Sequence, residues 1–251
     1  MAVTRSMLSL LDTNFVSFLR YTFTKTIVAG DIKELLQLRR EVSKDVRDAS
    51  TRDKILPLLT GVNEYLNEIV EGYTQAGYRL LMDVKLKLMS RLLIGTNEPY
   101  LKGLFEVGLC WNPFLNLPYI PASSIKGVIS FSAHNIGYST EAFESEKEAS
   151  ELIFVDSYPV DCDEKLLDID IITPHYVEVE RSIKETNVKP RPIPFLVVAK
   201  GVVFRFIILQ SKRNKPSITP QDMMKILTAA IELGFGAKTS LSYGRFVFKG
   251  E

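Results

Sequence analysis

The chain opens with hydrophobic positions at the three- and four-residue steps of an amphipathic helix. Leu35, Leu38, Val42 and Val46 follow this spacing, which places them on one helix face. Lysine and arginine are mixed with glutamate and aspartate at the positions between them, as is typical of a solvated helix face rather than of a nucleic-acid patch. We therefore predict an N-terminal helical region over residues 1–78.

The pattern changes to a two-residue alternation near residue 79. Residues 83–88 read Asp-Val-Lys-Leu-Lys-Leu, and this alternation of polar and apolar positions is typical of a half-buried strand. It predicts a first strand over about 79–94. Apolar runs bounded by turn residues predict three further strands, at about 152–156, 202–209 and 242–248.

Two helices are predicted between these strands. Ser123 or Ser124 can cap the first, and Thr219 followed by Pro220 is a typical start for the second. The resulting order, β-α-β-β-α-β, is that of a ferredoxin-like fold of the α+β class. We expect residues 79–251 to form this domain.

A long insertion, at about 157–200, separates the second and third predicted strands. Connections of this length in compact domains often bind something. It contains two kinds of side chain suited to RNA, cations that attract phosphates and aromatic rings that stack on bases. These are His175, Tyr176, Lys184, Lys189 and Arg191. The alternative interpretation is a solvated loop with incidental lysines.

Near its C-terminal end the chain has a glycine-rich segment, residues 234–246. Gly234, Gly236 and Gly244 permit turns with positive φ and can bring backbone N–H groups close to a bulky anion. Tyr243 either stacks on a base or packs on the sheet. The side-chain donors of this segment are Lys238, Thr239, Ser240 and Arg245. The alternative is a helix C-cap glycine followed by an ordinary tight turn.

This segment does not have the features of a nucleotide-hydrolysing phosphate loop. A Walker A loop lies between a strand and a following helix and has glycine directly before the lysine. Here Ala237 separates Gly236 from Lys238, and the predicted order is helix, loop, strand. We therefore do not predict nucleotide hydrolysis.

Composition excludes several classes of function. The 31 basic and 30 acidic residues give a net charge of +1, so an anion-binding surface requires local segregation of charge. Cys110 and Cys162 are isolated thiols with no C-x-x-C pair, which argues against a zinc site or a disulfide framework. The apolar runs are shorter than the roughly 20 residues that cross a bilayer. We expect no membrane association, no cofactor or metal, and a cytoplasmic location.

Two motifs together resemble those of the RAMP superfamily, the repeat-associated RNA-binding subunits of CRISPR effector complexes. They are Pro-Tyr-Ile-Pro-Ala-Ser-Ser-Ile-Lys-Gly at 118–127 and the glycine-rich segment at 234–246, in that order. One position departs from the family pattern, because Ser242 stands where the family loop usually has glycine. Further segments, at 156–159, 170–176 and 192–196, resemble a subunit of the type III-B (Cmr) complex.

The resemblance implies a non-catalytic protein of a ribonucleoprotein backbone. Its expected partners are the guide RNA, gripped toward its 3′ end, other Cmr subunits and, indirectly, the target RNA. The helix after Pro121 adds a physical reason for RNA contact, because free N–H groups at a helix N-terminus attract anions. We expect phosphate contacts at Ser123, Ser124, Lys126 and Gly127.

Two other functions stay open at this point. Some RAMP relatives cut RNA without a metal, and this chain has two histidines, His134 and His175, either of which could act as a base. An acidic run from 156 to 170 lacks the spacing of a Ca²⁺ loop, so we do not predict a metal site there. The third possibility is a protein-binding scaffold whose N-terminal helices dock a partner and which does not touch RNA.

Overall fold

In the computed structural model, three helices precede the first strand. The described residues are 10–29, 32–96, 105, 107–143, 151–173, 178–179, 182–183, 192–212 and 217–250. The helices are α1 (Phe15–Ala29), α2 (Ile32–Ala49) and α3 (Arg52–Gln75). Val42 and Val46 are buried, as the spacing predicts. Pro57 and Gly61 lie inside α3, because packing of its buried face outweighs their low helix propensity.

The rest of the described chain consists mainly of strands, with two α-helices among them. The elements, in order, are β1 (Tyr78–Leu88), β2 (Trp111–Asn112), β3 (Leu117–Pro118), α4 (Ala122–Asn135), β4 (Leu152–Phe154), β5 (Tyr158–Cys162), β6 (Leu167–Ile172), β7 (Glu178–Val179), β8 (Ser182–Ile183), β9 (Ile193–Val198), β10 (Val202–Ser211), α5 (Pro220–Leu233), a 3₁₀ turn (Thr239–Leu241) and β11 (Phe246–Phe248). None of the helices in the described ranges is both long and apolar enough to cross a bilayer.

The central sheet has the order β11-β1-β10-β4, and β5 also pairs with β10. Every pairing in this sheet is antiparallel. The chain is therefore an α+β protein built on an antiparallel sheet. β1 ends at Leu88 rather than near residue 94, and Leu92 instead forms a separate bridge with Val198.

The second predicted strand is two strands, β4 and β5. Between them, Ser157 exchanges two backbone hydrogen bonds, of 2.9 and 3.0 Å, with Ile120 just before α4. This detour interrupts the ladder, which resumes when β5 pairs with β10. The first residues of the expected insertion thus belong to the central sheet, and a β6–β9 hairpin follows them.

The two faces of the sheet are covered differently. On one face, Phe206 of β10 and Phe246 of β11 pack against each other and against Phe235, which follows α5. Arg205 lies between two phenylalanines of β10, and successive side chains of a strand point to opposite faces. It therefore points to the other face, where it contacts Asn63 and two further groups of α3 and β1.

Candidate nucleic-acid interface

The glycine-rich loop, residues 234–246, follows α5 and leads into β11. Gly236 and Gly244 have φ values of +92° and +63°. A Cβ atom at Gly244 would lie 1.8 Å from the Phe235 carbonyl oxygen, and one at Gly236 would lie 2.5 Å from that of Leu93. These glycines are needed because backbone segments of the protein approach each other closely here.

Most described N–H groups of this loop bond within the protein. Phe235 N–H donates to Gly244 (3.0 Å), and Ala237 N–H donates to Leu93 (2.7 Å). Gly244 N–H donates to Arg91 (2.8 Å). Gly234 and Gly244 thus use their own N–H groups within the protein, and the expectation that they offer them to an anion is wrong for these two glycines.

Positive φ also occurs at two non-glycine residues of the loop. Lys238 and Ser242 have φ values of +60° and +65° and flank the 3₁₀ turn. Ser242, where the family loop usually has glycine, thus adopts the conformation that glycine favours. Gly234 ends α5 with φ +83°, as expected for a glycine after a helix.

Arg245 fastens the loop to the end of α5. Its Nη1 donates to the carbonyl of Glu232, and its Nη2 donates to the carbonyl of Thr239 at 2.9 Å. The predicted phosphate contact at Arg245 would have to compete with these bonds. Ser240, at the middle of the turn, is exposed.

Lys238 connects the loop to the hairpin formed by β6 and β9. Its Nζ lies 5.2 Å from the centroid of the buried Phe195 ring and 5.9 Å from that of Tyr243. Both distances are within the range of a cation–π interaction. No local pattern of residues indicates this pairing with Phe195. Lys238 is only partly buried.

Tyr243 makes the second connection to the hairpin. Its hydroxyl donates to Asp170 of β6, and Arg91 lies 3.1 Å from the same carboxylate and 3.6 Å from that of Asp168. Burial, followed by the hydrogen bond to Asp170, raises the pKa of Tyr243 to about 12. Burial opposes ionisation of Asp170, but the Tyr243 hydroxyl, the Ile171 N–H and Arg91 together hold its pKa below the usual value.

The glycine-rich loop and the hairpin therefore form one cluster with an apolar base. Leu93, Phe195 and Val197 are buried together, and Tyr243 packs against them. The pairing of Ile172 with Ile193 is the last in the hairpin. The insertion residues predicted to bind RNA come after this point and lie outside the described residues. They are His175, Tyr176, Lys184, Lys189 and Arg191.

The N-terminus of α4 differs from the expected anion site. Pro121, not a serine, occupies the N-cap position. The N–H groups of Ser124 and Ile125 donate to the Pro121 carbonyl at 2.9 and 3.1 Å. The Asp156 carboxylate accepts from the N–H of Ala122 at 2.7 Å. The expectation of three free N–H groups is wrong for Ser124 and Ile125, because the Pro121 carbonyl accepts from both, and Asp156 occupies the neighbouring N–H of Ala122.

The side chains at the start of α4 remain accessible. Ser123 and Gly127 are exposed, and Lys126 is half-buried. A Cβ atom at Gly127 would have no neighbour within 4 Å. Across the described part of the chain, no hydrogen bond or ion pair joins this segment to the glycine-rich loop.

Histidines and cysteines are few in the described ranges. His134 is exposed near the end of α4, and His175 lies outside the described residues. No group of three or more histidine, cysteine, aspartate or glutamate side chains in the described ranges could hold a metal ion. Cys110 and Cys162 are buried free thiols.

Sequence reasoning missed a polar cleft on the other face of the sheet. This sheet-face cleft, of about 650 Å³, is lined by Asn63, Asn67, Asp83, Lys85, Arg205, Lys249 and Gly250. One signal was present, because Arg205 is a charged residue inside the apolar run 202–209. A charged residue that is buried in a strand requires partners.

Comparisons with known proteins give a consistent relationship. The RAMP superfamily matches residues 85–247. The chain is 31% identical over 188 residues to the CRISPR system CMR subunit Cmr6 of Saccharolobus solfataricus, a match that covers 74% of this chain and 63% of that protein. It is 36% identical over 115 residues to the CRISPR system Cmr subunit Cmr6 of Pyrococcus furiosus, covering 42% and 33% respectively.

The chain also resembles a solved structure in its fold. A chain in the cryo-EM structure of the Type III-B Cmr-beta bound to cognate target RNA superimposes with a TM-score of 0.72 at 27% identity. The superposition covers 84% of this chain and 71% of that chain. The match with each of the two curated relatives spans less than two thirds of that relative's length.

Proposed function

Because the chain belongs to the RAMP superfamily, we propose that it is a non-catalytic RNA-binding and assembly subunit of a type III-B Cmr effector complex. Its place would be that of the sixth subunit, which the two curated relatives are named as. In this role it grips the guide RNA backbone toward the 3′ end, contacts neighbouring Cmr subunits and meets target RNA indirectly. The complex would act in antiviral defence in the cytoplasm.

The observation that carries this proposal is the connection between the glycine-rich loop and the β6–β9 hairpin. The loop's Lys238 lies against Phe195 of the hairpin, and its Tyr243 bonds to Asp170 of the opposite strand. The loop cation therefore sits at the base of the segment that carries the other predicted RNA-binding residues. A cationic contact of this kind holds phosphates without reading base sequence, as a guide with a variable spacer requires.

We also propose that residues 79–251 form a ferredoxin-like core. In chain order the core strands are β1, the β4–β5 pair, β10 and β11, and the sheet order is β11-β1-β10-β4. α4 follows the first of these strands and α5 follows the third. This order supports a βαββαβ unit, with the N-terminal helical region as an addition to it.

A binding role rather than cleavage is consistent with the chemistry of the described residues. Attack by a 2′-hydroxyl needs a base and an acid on opposite sides of one phosphate. The single histidine in the described ranges, His134, lies on α4, and no hydrogen bond within those ranges joins it to the glycine-rich loop. We therefore assign no catalytic residue.

The proposal is tested by RNA binding of the full chain across a salt series. We expect a Lys126→Ala/Lys238→Ala double variant to bind single-stranded RNA more weakly. Its salt dependence should be shallower, by a slope of about 0.7 for each phosphate that the variant no longer neutralises. Lys225→Ala, on the exposed side of α5, is the matched control and should bind like wild type.

The same RNA is tested on a gel for cleavage. Intact RNA together with weakened binding by the double variant supports the proposal. Cleavage that disappears in a His134→Ala/His175→Ala variant would instead make the chain a metal-independent endoribonuclease. Equal RNA binding by wild type and the double variant would show that Lys126 and Lys238 do not contact the RNA.

A further inference from the structure

The sheet-face cleft brings three cationic residues together from neighbouring strands. Lys85 of β1 lies directly opposite Arg205 of β10. On the other side of Lys85, its carbonyl accepts a hydrogen bond of 3.0 Å from the N–H of Lys249, just after β11. All three residues line the cleft. Like charges so close are unfavourable unless anions compensate them.

Of these three cations, Arg205 makes the most hydrogen bonds within the protein. Its side chain is buried, with 8% of the residue exposed. Nε and Nη2 donate to the two oxygens of Asp83 at 2.9 and 2.6 Å. Nη1 donates to the side-chain oxygens of Asn63 (3.0 Å) and Asn67 (2.7 Å). Arg205 is therefore a structural residue that also orients its neighbours.

These bonds determine which atoms of the Asn63 and Asn67 side-chain amides remain available to a ligand. A guanidinium group has only donors, so the oxygen of each amide must face Arg205. The NH₂ groups of Asn63 and Asn67 are then the ends that are left over. Asn63 and Asn67 are four residues apart on α3, which places them on the same side of the helix. The cleft thus presents two fixed amide donors beside its lysines.

The side chains around the cleft carry more positive than negative charge. Asp161 is shared by Lys249 (2.8 Å) and Arg52 (3.2 Å), and Asp83 is taken by Arg205. Lys85 has no carboxylate partner among the residues that the structure describes. The three cations that line the cleft therefore have two carboxylate partners among the described residues, Asp83 and Asp161, which leaves an excess of one positive charge.

We propose that the sheet-face cleft binds a phosphate group of RNA. Lys85 supplies the positive charge that no carboxylate of the described residues neutralises, Lys249 lies beside it with Asp161 as its partner, and the NH₂ groups of Asn63 and Asn67 supply directed hydrogen bonds. A site made of donors, with its carboxylates already committed to arginine and lysine, suits an anion with several acceptor oxygens. The inference rests on the proposed function for the source of the phosphate, an RNA backbone rather than a free ion.

The test uses two variants of the full chain that leave an acceptor oxygen at each position that bonds Arg205. Lys85→Ala removes the lysine without a carboxylate partner. Asn67→Asp keeps an oxygen toward Arg205 but replaces the amide donor by an acceptor with negative charge. Lys225→Ala is the control for loss of an exposed lysine elsewhere. Thermal unfolding confirms that each variant is folded.

Binding is measured with a 20-nucleotide single-stranded RNA by fluorescence anisotropy and with inorganic phosphate by calorimetry. We expect each cleft variant to bind the RNA roughly tenfold more weakly, with a salt slope reduced by about 0.7, and the control to match wild type. Loss of phosphate binding with unchanged RNA affinity would support the phosphate site but assign it to a free anion. Folded cleft variants that bind both probes like wild type would overturn the inference.

The Lys126→Ala/Lys238→Ala variant separates this inference from the proposed function. If the cleft and that pair act at separate places on the RNA, their effects on binding free energy add. Weakening by the cleft variants alone would support the cleft and contradict the loop as the RNA contact. Weakening by the Lys126 and Lys238 changes alone would overturn the cleft and leave the proposed function standing. A wild-type chain that binds neither probe would overturn both.

Discussion

The glycine-rich loop and the sheet-face cleft both gather cations, yet they use them differently. In the loop, Arg245 donates to carbonyls of the protein, and Lys238 rests on two aromatic rings. In the cleft, Arg205 satisfies the carboxylate and amide oxygens, and Lys85 is left with no carboxylate partner in the described part of the chain. A cation is available to a ligand only where the protein has not already used its donors.

The two regions also differ in what their residues do for the fold. The loop is held by backbone contacts so close that only glycine fits at Gly244. The cleft is held by side chains, through the pair between Arg205 and Asp83. Backbone contacts tolerate no added atoms, whereas a side-chain network can lose one member and keep its shape. This difference can be measured by substitutions in each region.

The largest effect is expected for Gly244→Ala in the loop. The new Cβ atom would overlap the Phe235 carbonyl oxygen at 1.8 Å, at a φ that disfavours alanine. We expect a loss of about 4 kcal/mol in the free energy of unfolding, measured by urea denaturation. Gly61→Ala, inside α3 and free of neighbours within 4 Å, should instead stabilise by about 0.5–1 kcal/mol. Equal effects of the two changes would contradict the close approach at Gly244.

This loop shows which part of the site could be predicted from the sequence. Its glycines, its place between a helix and a strand, and the positive φ values follow from residue types. Its backbone acceptors, the carbonyls of Leu93 and Arg91, lie 144 and 153 residues before their donors, Ala237 and Gly244. No local pattern specifies such a contact, so the loop's N–H groups could be taken for a free anion site.

The fold was easier to predict from the sequence than the cleft, for the same reason. α5 starts where predicted, because Thr219 and Asp222 form a capping box that is readable as local sequence. β10 follows from its apolar run. The cleft forms only where Asn63, Lys85 and Lys249 lie close together. Their proximity depends on how α3 packs on the sheet. Arg205, inside an apolar strand, was the only local sign of it.

In the cleft, we expect Asp83→Asn to have the next largest effect. The change leaves the guanidinium of Arg205 buried without a compensating charge. We expect a loss of about 2 kcal/mol in unfolding free energy. Asp163→Asn removes the partner of Lys87 at a more exposed site and should cost at most about 0.5 kcal/mol. Similar losses for both would mean that Arg205 does not depend on Asp83.

Tyr243→Phe tests the bond between the loop and the hairpin, and its effect should depend on pH. The pKa of Asp170 is lowered in the fold, so its ionised form adds stability above the unfolded pKa of about 4. That stability disappears as the pH falls through the lower, folded pKa. We expect a loss of about 1 kcal/mol at pH 7 and a smaller loss near pH 3, measured by urea denaturation.

The control for this change is Tyr65→Phe, at a tyrosine that is 40% exposed on α3. It should leave unfolding free energy unchanged at both pH values. A Tyr243→Phe effect of the same size at pH 7 and pH 3 would show that the hydroxyl does not stabilise the Asp170 carboxylate.

We expect the smallest effects on stability when a lysine is removed from each region. The two effects should have opposite signs. Lys238→Ala takes the ammonium group away from the rings of Phe195 and Tyr243, which should destabilise the protein by about 0.5 kcal/mol. Lys85→Ala removes a cation that lies opposite Arg205, so stability should be unchanged or rise by a few tenths of a kcal/mol. Urea denaturation at low salt, where surface charges are least screened, measures both. If Lys85→Ala destabilised the protein more than Lys238→Ala, the lysine of the cleft would be a structural residue, and the loop would be the region with a free cation.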